Sequence, residues 1–322
     1  MIPTRRNPTL LAHLLLLGVV LVWGTTFSII KAALADTTPL VFNLIRMTLA
    51  FLLLAAVNVS SLHSIPRREL AVSAAAGCFL ALGYQFQTVG LNYTSAAKAG
   101  FITGLVVVLV PLLSILPGVA AAGSPGPSRD TYTGAFLAFA GLVLLTAPSH
   151  TGLALFSGIG LGELLCLACA VAFSAHLLTL AHAAPQVSAR RLGTLQIGFA
   201  ALVMLLTFPL GYLHGGHPTF HGTPAVWLAL AVTSVLATAA AFTIQSWAQQ
   251  HLPASHTALI FTLEPVFAWL TALLFFGERL GPRAIAGAAL ILVGILLAEL
   301  RPTSRAPQPL QQAESVDPPM LL

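Results

Sequence analysis

Inside the apolar stretch LIFTLEPVFAWLTALLFFGERL, from Leu259 to Leu280, an acid and a helix breaker stand side by side as Glu264 and Pro265. A carboxylate near the centre of a bilayer costs about 2.5–3.5 kcal/mol on insertion scales. Proline removes a backbone hydrogen bond and crowds the preceding turn. A chain tolerates both at one point where the acid binds a cation, a proton or a neighbouring helix, and where the carbonyl one turn back, near Ile260, finds a new partner. Similar chemistry is scattered through the other apolar stretches. Trp23, Gly24, Thr25, Thr26, Ser28 and Lys31 lie on the first, Arg46 on the second, and Tyr84, Gln85 and Gln87 on the third. His176 lies on a later one with Glu163 near its start, and Gln196, then Gln245, Ser246 and Trp247, mark two more. Amides meet an ammonium or a carboxylate without a buried charge, Tyr and Trp give apolar wall with one donor each, and histidine titrates near neutral pH. Such groups hold and release a small solute or a proton. The sets that break bonds are missing: there is no HExxH, no pair of acids at fixed spacing and no Walker A pattern.

Each of these residues also has a purely structural reading. Glu264-Pro265 can be a kink held by an interhelical hydrogen bond. Arg46 can snorkel to the interface, the hydroxyls can bond their own backbone, and the amides can join helices. Glu163 can complement a helix dipole or, with His176, form a proton route. Gly100 and Gly104 have the GxxxG spacing of close helix contact. Cys166 and Cys169 have a redox spacing but sit in an apolar run, where they read as packing residues. His214, His217 and His221 read as residues of a Gly/Pro-rich loop rather than metal ligands, and GIGLGE at Gly158 lacks the third glycine of a nucleotide turn. Glu278 is expected to pair with Arg279 or Arg283. No metal or cofactor is expected.

The elements that must position these groups are set by composition. Of 322 residues, 57% are hydrophobic and 7% charged, against about 25% charged in a soluble domain. The chain is an all-α membrane protein, and its net charge of +5 speaks of topology rather than of nucleic acid. Ten transmembrane helices are predicted, near 10–34, 40–60, 69–92, 97–118, 132–148, 157–182, 192–213, 225–250, 254–277 and 282–300. The Pro-rich tail 301–322 is expected to be disordered. Arg5 and Arg6 before an apolar run, with Ala33-Leu34-Ala35 after it, resemble a signal peptide, but the run is too long and polar for one. With the N-terminus inside, nine basic residues fall on inner segments and four on outer ones, which puts both termini in the cytoplasm of a cell with this protein in its inner (plasma) membrane.

The chain repeats itself. Tyr84 onward aligns with Phe242 onward at an offset of 158, so that Gln87 meets Gln245, Ala96 meets Ala254 and Leu105 meets Leu263. Gly134 and Gly141 meet Gly287 and Gly294 at 153; Trp23 meets Phe173 and Arg46 meets Gln196 at 150. The repeats are 10–148 and 157–300, five helices each, and an odd count inverts one against the other. Inverted repeats place a solute site near the midplane between the halves. VWGTTFSIIK, LIRMTLAFLLL, YTSAAKAGFITGLVVVLVPLL and LPASHTALIFTLEPVFAWLTALLFFGERL, with the glycine-spaced last helix, resemble the EamA branch of the drug/metabolite transporter superfamily. The resemblance implies two inverted five-helix repeats and export of small metabolites or drugs. The first half has Val106-Val107 where the second has Glu264-Pro265, with Pro111 about one turn later, so the halves differ at the pathway.

The expected function is secondary transport, not catalysis: export of a small amphipathic, amino-acid-like solute by alternating access, with proton coupling and a homodimer left open. Import, or a lipid or lipophilic drug as cargo, is the alternative within transport; a lipid enzyme and a small-molecule sensor are the rivals outside it. The expected pathway residues are Trp23, Thr25, Arg46, Tyr84, Gln85, Gln87, His176, Gln196, Gln245, Trp247, Glu264 and Pro265.

Overall fold

A computed structural model describes residues 8–114, 128–146, 159–183, 187–248 and 260–300. Among these residues the chain is helical, and the only bridge between extended segments joins Thr37 to Phe220. The helices are α1 (Pro8–Ala33), α2 (Pro39–Val57), α3 (Arg67–Tyr93), α4 (Ala96–Thr103), α5 (Val106–Leu113) and α6 (Arg129–Thr146). They continue with α7 (Leu161–Ala183), α8 (Ala189–Thr207), α9 (Pro224–Ala231), α10 (Ala241–Ala248), α11 (Glu264–Phe276) and α12 (Pro282–Leu300). A π-helix, Val232–Ala240, joins α9 to α10. Six apolar helical stretches are long enough to cross a membrane, and four shorter ones include Ala96–Val110 and Glu264–Phe276. The predicted tail, the end of the 97–118 segment and the start of the 254–277 segment lie outside the described residues.

Local signals start and stop these helices. Thr38 precedes Pro39, and Thr223 precedes Pro224 and accepts from Val226 N, so proline's missing N–H falls where none is needed. Gly277, at φ 62°, closes α11 in the left-handed conformation that favours glycine. Apolar side chains then divide between lipid and protein. On α1, Leu10, Leu14, Leu17 and Leu21 form one exposed stripe, while Ala12, Leu16, Val19 and Val20 are buried. Lipid is as apolar as leucine, so the hydrophobic effect does not hold such helices together; close packing and hydrogen bonds do.

The halves pack as the repeat requires. α1 packs on α11, and its counterpart α7 packs on α4 and α5. α3 packs on α7 and α8, while the α9–α10 helix packs on α1 and α2. Each remaining cross-pair, α2 with α8, α4 with α11 and α6 with α12, is its own counterpart. The α6–α12 contact shows it at single residues: a Cβ added at Gly141 would lie 2.6 Å from Gly287 O, and one at Gly294 would press on Gly134 O. The 27 residues of α3 reach about 40 Å and separate two faces. On the face of the α3–α4 turn, the α1–α2 turn pairs with 219–223: His221 N donates to Asp36 O at 2.8 Å and Thr223 Oγ1 to Asp36 Oδ2 at 2.8 Å. The repeat-related contact lies on the opposite face, where Arg191 Nε donates to Ser61 O at 2.7 Å and Nη1 to Glu69 at 3.2 Å. One half is thus inverted against the other.

Two predicted helices are broken. The 97–118 segment divides at Gly104-Leu105, between α4 and α5, and the other central helix divides at Thr262-Leu263, just before Glu264. The breaks stand at the offset of 158. Only the second has a proline within a turn after it, so the interruption belongs to the shared architecture, and Pro265 fits it rather than causing it. The Ile260 carbonyl is not left free: it accepts from Leu263 N at 3.1 Å. The two breaks touch, since a Cβ on Gly104 would stand 2.5 Å from Pro265 Cγ. Gly100 and Gly104 are close-contact glycines against α11, as their spacing predicts.

Candidate functional site

A cavity of about 100 Å³ lies between the halves, beside both helix breaks. Most of its wall is made of repeat-equivalent pairs. At the offset of 150, Trp23 answers Phe173, Thr26 answers His176 and Phe27 answers Leu177; at 158, Tyr84 answers Phe242, Gln87 answers Gln245, Thr103 answers Phe261 and Val106 answers Glu264. The cavity therefore sits where the repeat axis passes, with equal backbone on both sides and unequal chemistry. Arg46, Leu80, Gly104 and Val107 complete the wall.

Arg46 does not snorkel. It is 1% exposed, its Nε donates to Thr238 Oγ1 at 3.2 Å, and its guanidinium lies over the Tyr84 ring, 4.1 Å from the centroid. Its Nη1 is buried with no hydrogen-bond partner. Tyr84 is held in turn, with Asn43 Nδ2 donating to its carbonyl at 3.0 Å and its ring edge-to-face with Phe173 at 5.1 Å. The π-helix prepares the opposite wall. Ala241 N donates to Leu236 O, five residues back, so Ala237 O is released and accepts from Trp23 Nε1 at 2.8 Å. Thr238 Oγ1 donates to Thr233 O at 2.7 Å, which turns its oxygen to Arg46. π segments recur at functional sites for this reason: they redirect backbone groups that an α-helix would use internally.

The second half supplies the acid. Glu264 begins α11, where the helix dipole favours a negative charge. It lines the cavity, and among the described residues it makes no hydrogen bond or ion pair. His176 Nε2 stands 2.7 Å from Gln196 Oε1, so Gln196 backs the ring rather than lining the cavity. Gln245 Oε1 is buried without a partner. Among the described residues the wall thus carries one cation, one carboxylate, two amides and an imidazole among six aromatic side chains, with no ion pair between Arg46 and Glu264.

Of the residues expected on the pathway, Trp23, Arg46, Tyr84, Gln87, His176, Gln245 and Glu264 meet at this cavity. The others lie elsewhere. Thr25 donates to Leu21 O in its own helix at 2.8 Å, and its neighbour Thr26 takes the wall position. Gln85 donates to Thr207 at 2.7 Å, an interhelical bond, and Trp247 packs near Ala12 and Leu16. Pro265 packs on Gly104. Glu163 and His176 make no proton route: thirteen residues of α7 separate them, roughly 20 Å. Glu163 instead accepts from Thr94 Oγ1 at 2.7 Å and Gly160 N at 3.1 Å and faces Lys98 at 3.6 Å. Glu278 accepts from Ala96 N and Ala97 N at 3.3 Å each. Cys166 and Cys169 are free thiols in helix contacts. Thr26 was singled out with its helix but left off the expected pathway set, and Phe27, Thr103, Phe173, Leu177, Phe242 and Phe261 were not anticipated, although the offsets of 150 and 158 point to each of them from an equivalent wall position.

A polytopic helical fold of two inverted halves, with a cavity on their axis, is the architecture of a membrane transporter. The chain belongs to the EamA-like transporter family, which its residues 10–147 and 160–300 each match, and so to the drug/metabolite transporter superfamily. It is 33% identical over 292 residues to an uncharacterized transporter of Archaeoglobus fulgidus, covering 91% of this chain and 87% of the relative. It is 27% identical over 310 residues to the uncharacterized transporter YvbV of Bacillus subtilis, covering 93% of both. A solved crystal structure shares the fold with a TM-score of 0.60 at 22% identity, over 90% of this chain and 96% of that one.

Proposed function

We propose that the protein is a secondary carrier that exports a small amphipathic, amino-acid-like solute across the inner membrane. In this reading all ten apolar segments cross the bilayer, both termini are cytoplasmic, and the face of the α3–α4 turn is the outer one. The supporting observation is the pairing of wall residues across the two halves. A site built from equivalent positions of inverted repeats is reached from either side by the same rocking motion, with one half moving against the other. The unpaired opposite charges and aromatic walls suit a solute with an ammonium, a carboxylate and an apolar body. Protons supply the driving force through Glu264, whose carboxylate no protein group neutralises among the described residues.

The test is the profile of metabolites in the medium when the wild type or Glu264→Gln is overproduced at matched membrane levels. A solute class that accumulates with wild type and not with the variant is the expected result. No difference from cells lacking the protein overturns export, and export by Glu264→Gln that keeps its dependence on external pH overturns the role of the acid.

A further inference from the structure

The geometry points to Arg46 as the group that recognises a carboxylate on the transported solute, which makes a free carboxylate the feature that separates cargo from non-cargo. This rests on the reading of the cavity as the transport site. Arg46 is 1% exposed, donates from Nε to Thr238, contacts the Tyr84 side chain and leaves Nη1 buried without a partner while its side chain forms part of the cavity wall. No acid pairs with it among the described residues. A guanidinium presents a planar fork of donors suited to a carboxylate, and a buried charge that keeps an open donor is costly until an anion arrives.

The surroundings hold the fork still without neutralising it. The Tyr84 ring covers one face at 4.1 Å, and Thr238, aimed by the π-helix, takes Nε. Both partners are uncharged, so the positive charge stays available. A protein that needed this arginine only for packing would gain by pairing it with Glu264, which shares the cavity wall; the two are held apart instead. An anion entering the cavity meets Arg46, the one fixed cation of its wall among the described residues, and a cationic group on the same solute is left facing Glu264.

The experiment uses purified protein in liposomes and three labelled probes on one skeleton: leucine, leucinamide, which lacks the carboxylate, and N-acetylleucine, which lacks the ammonium. Uptake is measured for wild type, Arg46→Gln, Arg46→Lys and Glu264→Gln. Wild type is expected to prefer leucine to leucinamide by about tenfold to a hundredfold, the range for a hydrogen bond to a charged group. Arg46→Gln brings that ratio to about one, and Arg46→Lys, with a charge but no fork, falls between. Glu264→Gln, whose net transport is lost, is scored by solute exchange at equal pH on both sides, which needs no proton movement; it keeps the leucine-to-leucinamide preference and narrows the leucine-to-N-acetylleucine one. Each ratio is taken within one protein, so differences in folded amount cancel, and Arg46→Lys carries the test where Arg46→Gln does not fold. If wild type moves leucine but the ratio survives both Arg46 substitutions, the carboxylate site is wrong and the transport reading stands. If wild type moves none of the probes, the amino-acid-like cargo falls and this site with it.

Discussion

Gly24→Ala should destabilise the protein where Gly18→Ala, six residues earlier on α1, should not. Both substitutions replace a helical glycine, and each gains about 0.8–1.0 kcal/mol of helix propensity. They differ in what the new methyl meets. At Gly18 nothing lies within 4 Å. At Gly24 the Cβ would stand 2.5 Å from Phe267 Cβ, 2.9 Å from Ala268 N and 2.9 Å from Glu264 O. Ordinary contact is about 3.5–4.0 Å, so α1 and α11 must separate by about 1 Å. Two of the three clashing atoms are backbone, which no rotamer change can clear. Overpacking of this kind costs about 1–3 kcal/mol, and its upper end outweighs the propensity gain. The expected net loss is about 1–2 kcal/mol, with a shift of the Glu264 backbone. Cys166 and Cys169 are buried free thiols and report unfolding directly, once exposed Cys78 is replaced by serine. Thiol labelling of detergent-solubilised protein against temperature should show Gly24→Ala opening below wild type and Gly18→Ala at or above it. If the two variants open at the same temperature, the close approach of α1 and α11 is not what holds this side of the cavity.

Thr238→Val keeps the volume of the side chain and removes the acceptor of Arg46 Nε, leaving a second buried donor unpaired; a loss of about 1.5–3 kcal/mol is expected in the same thiol assay. Glu264→Gln should leave the labelling curve within about 0.5 kcal/mol of wild type, because no protein hydrogen bond depends on the carboxylate among the described residues, even as transport is lost. Glu278→Ala removes the acceptor of Ala96 N and Ala97 N at the start of α4. It should raise the labelling of a cysteine placed at Thr26 by a membrane-impermeant reagent added from outside several-fold, and unchanged labelling would show that Glu278 does not hold that face closed.

The fold was legible because lipid makes a simple demand. Every backbone group inside the bilayer must be satisfied within a helix, so apolar runs of sufficient length give the elements, and repeated glycines such as Gly134/Gly287 give the pairing. The helix breaks were legible only on one side. Pro265 announces one, but nothing in GLVVV announces its partner at Gly104-Leu105, which exists because the two central helices meet there. Candidate site residues were legible by chemistry and failed by angle. Thr25 and Thr26, or Gln85 and Gln87, differ by one or two positions, about 100° or 200° around a helix, and single-sequence reading does not resolve which faces inward. Carrying each polar residue to its repeat partner would have, since His176 points to Thr26 and Gln245 to Gln87. The π-helix has no visible sequence cause in VTSVLATAA, and with it went the roles of Ala237 and Thr238.

The two faces are held by different contacts. The turns joined by Asp36 and Thr223 on one face, and by Arg191 and Ser61 on the other, are both in contact in the same structure, so these repeat-related contacts brace the halves there. Further charged contacts gather at the α3–α4 turn. There Lys31 caps the end of α3 through Leu91 O and Thr94 O, Glu278 caps the start of α4, and Glu163 joins Thr94 to Lys98. Carried to the other half, Lys31 becomes Ala181, Thr94 becomes Leu252, Glu163 becomes His13 and Glu278 becomes Ala120. The opposite face has an ion pair of its own, Arg191 with Glu69 at 3.2 Å, beside the Arg191 bond to Ser61 O. Half-exposed ion pairs contribute little singly, but only a difference between the two end states matters, and about 1.4 kcal/mol of it is a tenfold bias.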